Sequence, residues 1–102
     1  MDSVLPLRPS AAGHLGEGLL SSLCRDVVLL RRRAQQLTAQ LERSQDPGLL
    51  ARLRRELAGL GGRRAELQRI AAQLRRGRPQ SDSLNLLLLE ELTRRPLVAS
   101  AG

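Results

Sequence analysis

Apolar residues recur along this chain in alternating steps of three and four, the spacing of one face of an α-helix. The first run is Leu20, Leu23, Val27, Leu30, Ala34, Leu37 and Leu41, and it predicts a helix over about 17–43 with a heptad seam. The second is Leu50, Leu53, Leu57, Leu60, Arg64, Leu67, Ala71 and Leu74, and it predicts a helix over about 47–76. Between them lies Ser44-Gln45-Asp46-Pro47-Gly48. The Asp46 carboxylate suits the free amide hydrogens of a new first turn, and Pro47 suits the position where no amide hydrogen is needed. So short a connection predicts an antiparallel hairpin. Folding the seams about it sets Leu41 near Leu50, Leu37 near Leu53, Ala34 near Leu57, Leu30 near Leu60, Val27 beside Arg64 and Leu23 near Leu67. Arg64 is the one charge in the seam. It either pairs with Asp26 on the other helix or lays its stem along the seam and puts its guanidinium in water.

The remaining segments complete an all-α fold: an antiparallel helical hairpin (coiled coil) over 17–78, a short Leu-rich helix within 81–95, and tails at 1–16 and 96–102. The N-terminal tail holds Pro6, Pro9 and Gly13 and reads as flexible. Gly59, Gly61 and Gly62 fall inside the second helix, where each costs up to about 1 kcal/mol relative to Ala, so a kink, a break or a close crossing is expected. Gly77 stands where a left-handed C-cap belongs, and Pro79 bars continuation. The short helix runs from Leu84 to Arg95, capped by Ser81, Asp82 or Ser83. The tail after Pro96 is small and apolar and predicts no element.

A hairpin buries one stripe per helix. Leu19, Val28, Leu29, Leu49, Ile70 and the Leu86–Leu92 run lie off those stripes. This surplus predicts a bundle of three or four helices, completed by self-association or by a partner protein. Phe, Trp and Tyr are absent, so Leu and Ala carry the burial.

Charge adds a second theme. The formal charge is +7, all 17 basic residues are Arg, and residues 47–78 hold nine Arg against two acids. A basic helix of this kind is either the solvated outer face of a bundle or the footprint of an acidic partner or nucleic acid. The absence of aromatics argues against binding single strands or RNA by stacking. Arg75-Arg76-Gly77-Arg78-Pro79 supplies candidate contacts at Arg75, Arg76 and Arg78. Its Arg-Gly-Arg-Pro part resembles the core of the AT-hook family, which implies an extended segment with both Arg side chains in an A·T minor groove. Arg75 stands where that family has Pro. The same residues also read as a helix end followed by a stop.

Leu84-Asn85-Leu86-Leu87-Leu88 matches an LxxLL pattern and resembles the short helices that dock in grooves of nuclear receptors and related coregulators. That resemblance implies a partner-groove helix formed by Leu84, Leu87, Leu88, Leu89 and Leu92. The alternative is a third helix packed on the hairpin.

Catalytic chemistry finds no support. His14 is the only His and Cys24 the only Cys, and the two are not neighbours. No cluster of Cys, His or carboxylates has metal-ligand spacing, and the glycines at 59–62 follow no strand that would make them a phosphate cradle. No cofactor and no small-molecule substrate is expected. One Cys fits a reducing compartment, no apolar run approaches the roughly 20 residues of a membrane span, and the N-terminus lacks the pattern of a secretory signal. The sequence therefore reads as a non-catalytic interaction subunit or adaptor, intracellular, nuclear ahead of cytoplasmic. The alternatives are a nucleic-acid-binding accessory protein and a regulator presenting the LxxLL-like helix.

Overall fold

Asp46 and Pro47 divide the chain as their chemistry requires. In the computed structural model, which describes residues 9–98 and the side chains from residue 16 on, α1 runs Pro9–Arg43, α2 Pro47–Gly77 and α3 Leu84–Arg94. Every regular element among the described residues is helical. Asp46 keeps an extended backbone, and its Oδ2 accepts the Leu49 amide hydrogen at 2.8 Å. Ser83 caps α3 in the same way, its Oγ accepting from the Leu86 amide at 3.2 Å. The two caps satisfy donors that a helix start otherwise leaves orphaned.

α1 and α2 form the antiparallel hairpin. Among the described residues, two ion pairs span it: Arg33 Nε to Glu56 Oε2 at 2.8 Å and Arg63 Nη2 to Asp26 Oδ2 at 3.7 Å. Both lie beside the Ala34–Leu57 and Val27–Arg64 steps of the expected register. Leu20, Leu23, Val27, Ala34, Leu37, Leu53, Leu67 and Ala71 are buried, and Leu30, Leu41, Leu50, Leu57 and Leu60 are half-buried. Leu74 departs from the seam and is exposed. The register opposes it with Gly16, which has no side chain to cover it.

α3 packs back on both long helices, antiparallel to α2 and parallel to α1. Leu86 and Leu89 join Leu20, Leu23, Cys24, Val27, Leu67 and Ala71 in one core, with Leu30, Ile70 and Leu92 packed against it. This third helix accounts for two residues that lie off the hairpin stripes, Cys24 and Ile70. The molecule is three helices thick at the open end of the hairpin and two thick beyond α3. The chain after α3 then runs beside α1, where Leu97 is buried and Val98 half-buried among Gln35, Thr38, Ala39 and Glu42.

Three expectations are corrected. The helical backbone begins at Pro9, inside the stretch read as a tail; Pro is favoured in a first helical turn, and single glycines are weak vetoes. Residues 1–8 and 99–102 of the expected tails lie outside the described residues. α2 passes through Gly59, Gly61 and Gly62 unbroken, and a Cβ on any of them would meet nothing within 4 Å, so no crossing needs them. Burial of the flanking Leu53, Leu67 and Ala71 holds the helix across its weak point. Gly77 is the last helical residue and has no positive φ; the Arg78 amide ends the helix by donating to Leu74 and Arg75 oxygens at 3.1 and 3.2 Å. The C-terminal tail forms no regular element through Val98, as expected, yet it packs Leu97 into the interior, because α3 ends against α1 and delivers it there.

Candidate interaction surface

The geometry of the surface starts from how α3 is held. At its N-terminus, Glu17 of α1 accepts from Ser83 Oγ at 2.9 Å and from Asn85 Nδ2 at 3.0 Å. At its C-terminus, Arg31 of α1 donates to Leu92 O and Pro96 O, both at 2.8 Å. Arg64 of α2 donates to Thr93 O. An anion at the start and two cations at the end match the helix dipole and satisfy carbonyls the last turn leaves free. Arg64 thus pairs neither with Asp26, which takes Arg63, nor with water alone: its partner belongs to a helix 29 residues further along.

Arg75 supplies the third attachment. Its guanidinium binds Glu90 of α3 in a bidentate pair at 2.8 and 2.9 Å and reaches Ser81 O at 2.9 Å. Hydrogen bonding to Arg75 holds the Glu90 carboxyl below its usual range, against a smaller opposing effect of burial. Thr93 is buried, yet its hydroxyl donates to Leu89 O at 2.7 Å and so carries no unmet donor.

These contacts give α3 two unlike faces. Leu86, Leu89 and Thr93 point inward and are buried. Leu84, Leu87 and Leu88 point outward, 81%, 46% and 47% exposed. They sit at i, i+3 and i+4, one patch of helix surface, and they are the three leucines of the LxxLL pattern. Of the other residues expected in that docking face, Leu89 belongs to the core and Leu92 is half-buried. The inward positions have the same spacing, so a leucine-only run leaves the two faces indistinguishable.

Beside Leu88, a furrow of 420 Å³ runs between α1 and α3. Val28 and Leu29 form its α1 wall, Leu88 and Leu92 its α3 wall, and Cys24 lies in its bed. Burial pushes the Cys24 thiol above its ordinary value, and the thiol donates to Asn85 O at 3.4 Å; both features favour the thiol over the nucleophilic thiolate. Arg25 and Arg32 stand on the α1 rim. Sequence reasoning marks Val28 and Leu29 as surplus but misses these two arginines, whose seven-residue spacing is the only signal they leave.

The basic residues of α2 divide by role. Arg63, Arg64 and Arg75 are engaged within the fold. Arg75 is thus engaged within the fold: its fork matches the Glu90 carboxylate and the loop carbonyls better than a point charge would. Arg76 and Arg78 are exposed, but Arg76 and Gly77 are helical and Arg78 is the helix cap. The extended form implied by the AT-hook resemblance is absent from this segment. Arg54, Arg55, Arg69 and Arg76 are exposed along the outer side of α2 and make no ion pair among the described residues.

Among the described residues, no group of three or more His, Cys, Asp or Glu could hold a metal ion, and no helix is long and apolar enough to cross a membrane. Compared with known protein families, curated proteins and solved structures, the chain matches none.

Proposed function

We propose that this chain is a non-catalytic interaction subunit or adaptor that pairs with another protein through helices. The observation that carries the reading is the outward leucine face of α3. Leu84, Leu87 and Leu88 remain open after Leu86 and Leu89 have completed the core, and Val28 and Leu29 of α1 extend the apolar surface sideways. A chain that keeps so many large apolar residues in water, contiguous and rimmed by charge, has the surface of a component and not of a free monomer. The LxxLL-like helix serves in place: it is held by Glu17, Arg31, Arg64 and Arg75, so its leucines are presented without detachment. The reading places the protein inside the cell, nuclear ahead of cytoplasmic, where a lone thiol stays reduced.

Affinity capture from cells tests it. Leu87→Glu with Leu88→Glu changes only exposed positions, so helicity should be retained while a stoichiometric protein partner is lost. Retention of every captured protein by this variant would sink the reading.

A second reading has its own observation, the row Arg54, Arg55, Arg69 and Arg76, which makes no ion pair among the described residues. Such a row suits duplex nucleic acid through phosphate contacts. If it binds duplex, the log–log salt slope is about −0.9 per neutralised phosphate. Titration of A·T-rich and G·C-rich duplexes at two salt concentrations measures it. Weak, sequence-blind binding is expected, and tight binding lost on changing Arg69 and Arg76 to Ala would favour the nucleic-acid reading instead.

A further inference from the structure

We propose that the furrow between α1 and α3 receives an acidic amphipathic helix of a partner protein. The inference rests on the interaction-subunit reading and adds the chemistry of the partner. The bed and walls of the furrow are apolar: buried Cys24 below, Val28 and Leu29 on one side, Leu88 and Leu92 on the other.

The rims carry the argument about charge. Among the described residues, Arg25 reaches only the Ser21 and Ser22 hydroxyls of its own helix, at 3.3 and 3.2 Å. Arg32 makes no hydrogen bond or ion pair among the described residues, so neither guanidinium has a carboxylate partner there. On α3, outside the furrow lining, Glu91 is already taken by Arg94 and Arg95, and hydrogen bonding to Arg95 holds its carboxyl below the usual range, with burial opposing. Among the described residues, the furrow is thus positive and uncompensated on its α1 side, and its α3 side is lined by the uncharged Asn85, Leu88 and Leu92.

An occupant must bring apolar groups for the bed and carboxylates for Arg25 and Arg32. Those two arginines are seven residues apart on one helix, about 10 Å along its axis, and share a face. A helix lying in the furrow meets both demands: apolar side chains at i, i+3 or i+4, and i+7 fill the bed, and Asp or Glu residues two turns apart face the two guanidiniums. A second copy of this chain fits less well. Each copy carries +7, and the carboxylates of its α3, Glu90 and Glu91, are already held by Arg75, Arg94 and Arg95, so its leucine face brings no free acid to Arg25 and Arg32.

Selection from a randomised library of helical peptides against the full chain tests the proposal. The enriched peptides should carry the apolar pattern with acidic residues seven apart. Arg25→Glu with Arg32→Glu should weaken the best peptide about tenfold at low salt, and raised salt should erase most of that difference. The milder Arg25→Gln with Arg32→Gln serves if the first variant loses helicity, with a smaller loss in the same direction. No enrichment, enrichment of neutral or basic peptides, or indifference to these variants overturns the proposal. So does sedimentation as a dimer that Leu88→Glu dissolves, which would give the furrow to a second copy. None of these outcomes touches the interaction-subunit reading while Leu87→Glu with Leu88→Glu still removes a cellular partner.

Discussion

Arg75 of α2 and Glu90 of α3 meet through two parallel hydrogen bonds, Nε to Oε2 at 2.9 Å and Nη2 to Oε1 at 2.8 Å, while Nη1 of the same guanidinium holds Ser81 O. One side chain therefore both closes the loop between the helices and docks α3. Arg75→Ala should raise amide hydrogen exchange across residues 84–94 and leave the two-helix arm around Arg33 and Glu56 protected. Equal loss of protection in both regions would contradict a local docking role.

The same pair sets a pH response. Glu90 and Glu56 are each held below the usual carboxylate range, chiefly by hydrogen bonds from Arg75 and Arg33. A carboxyl whose pKa is lower in the folded state stabilises the fold fully above its unfolded value, about 4.3 for Glu, and loses that contribution as pH falls through the folded value. The melting temperature should accordingly drop as pH is taken below that value. Glu90→Gln should start lower at neutral pH and drop less over the acid window. An unchanged profile in that variant would remove Glu90 from the account.

Gly59, Gly61 and Gly62 lie in an unbroken helix with open space where a Cβ would stand. Ala at each position should stabilise the chain by up to about 1 kcal/mol. In a domain of this size, about 1 kcal/mol raises the melting temperature by about 4–8 °C. A fall in melting temperature on thermal denaturation of the triple variant would mean that the glycines are needed for a close approach after all.

The two faces of α3 should respond oppositely to truncation. Leu89 is fully buried and Leu84 is 81% exposed. Leu89→Ala should cost about 2–5 kcal/mol through lost burial and the cavity left behind. Leu84→Ala should stay within about 0.5 kcal/mol. Chemical denaturation of the two variants measures both, and similar costs would mean that α3 is seated on a different face.

How far each feature was legible follows from whether its cause is local. Asp46-Pro47 carries its own instruction, and the Asp46 cap forms as its chemistry requires. The paired seams set the register because both stripes have the same period, and the Arg33–Glu56 and Asp26–Arg63 pairs sit on it. The seat of α3 was not legible. A run of four leucines offers several faces, and the choice depends on where Arg31, Arg64 and Glu17 lie in space. Arg64 illustrates the limit: seam periodicity sets its position, but its acceptor, Thr93 O, comes from an element the hairpin pattern does not contain. The furrow needed the structure as well, since Arg25, Arg32 and Leu88 become neighbours only when α3 folds back.

The central claim, that the outward face of α3 is where a protein partner sits, is tested most directly by site-specific photo-crosslinking in cells. A photoreactive side chain is placed at position 88 of the full chain, and in a separate variant at position 69 on the outer side of α2. The account predicts a discrete protein adduct from position 88, lost when Leu87 is changed to Glu, and no comparable adduct from position 69. Adducts from position 69 alone, whether to protein or to nucleic acid, would contradict it.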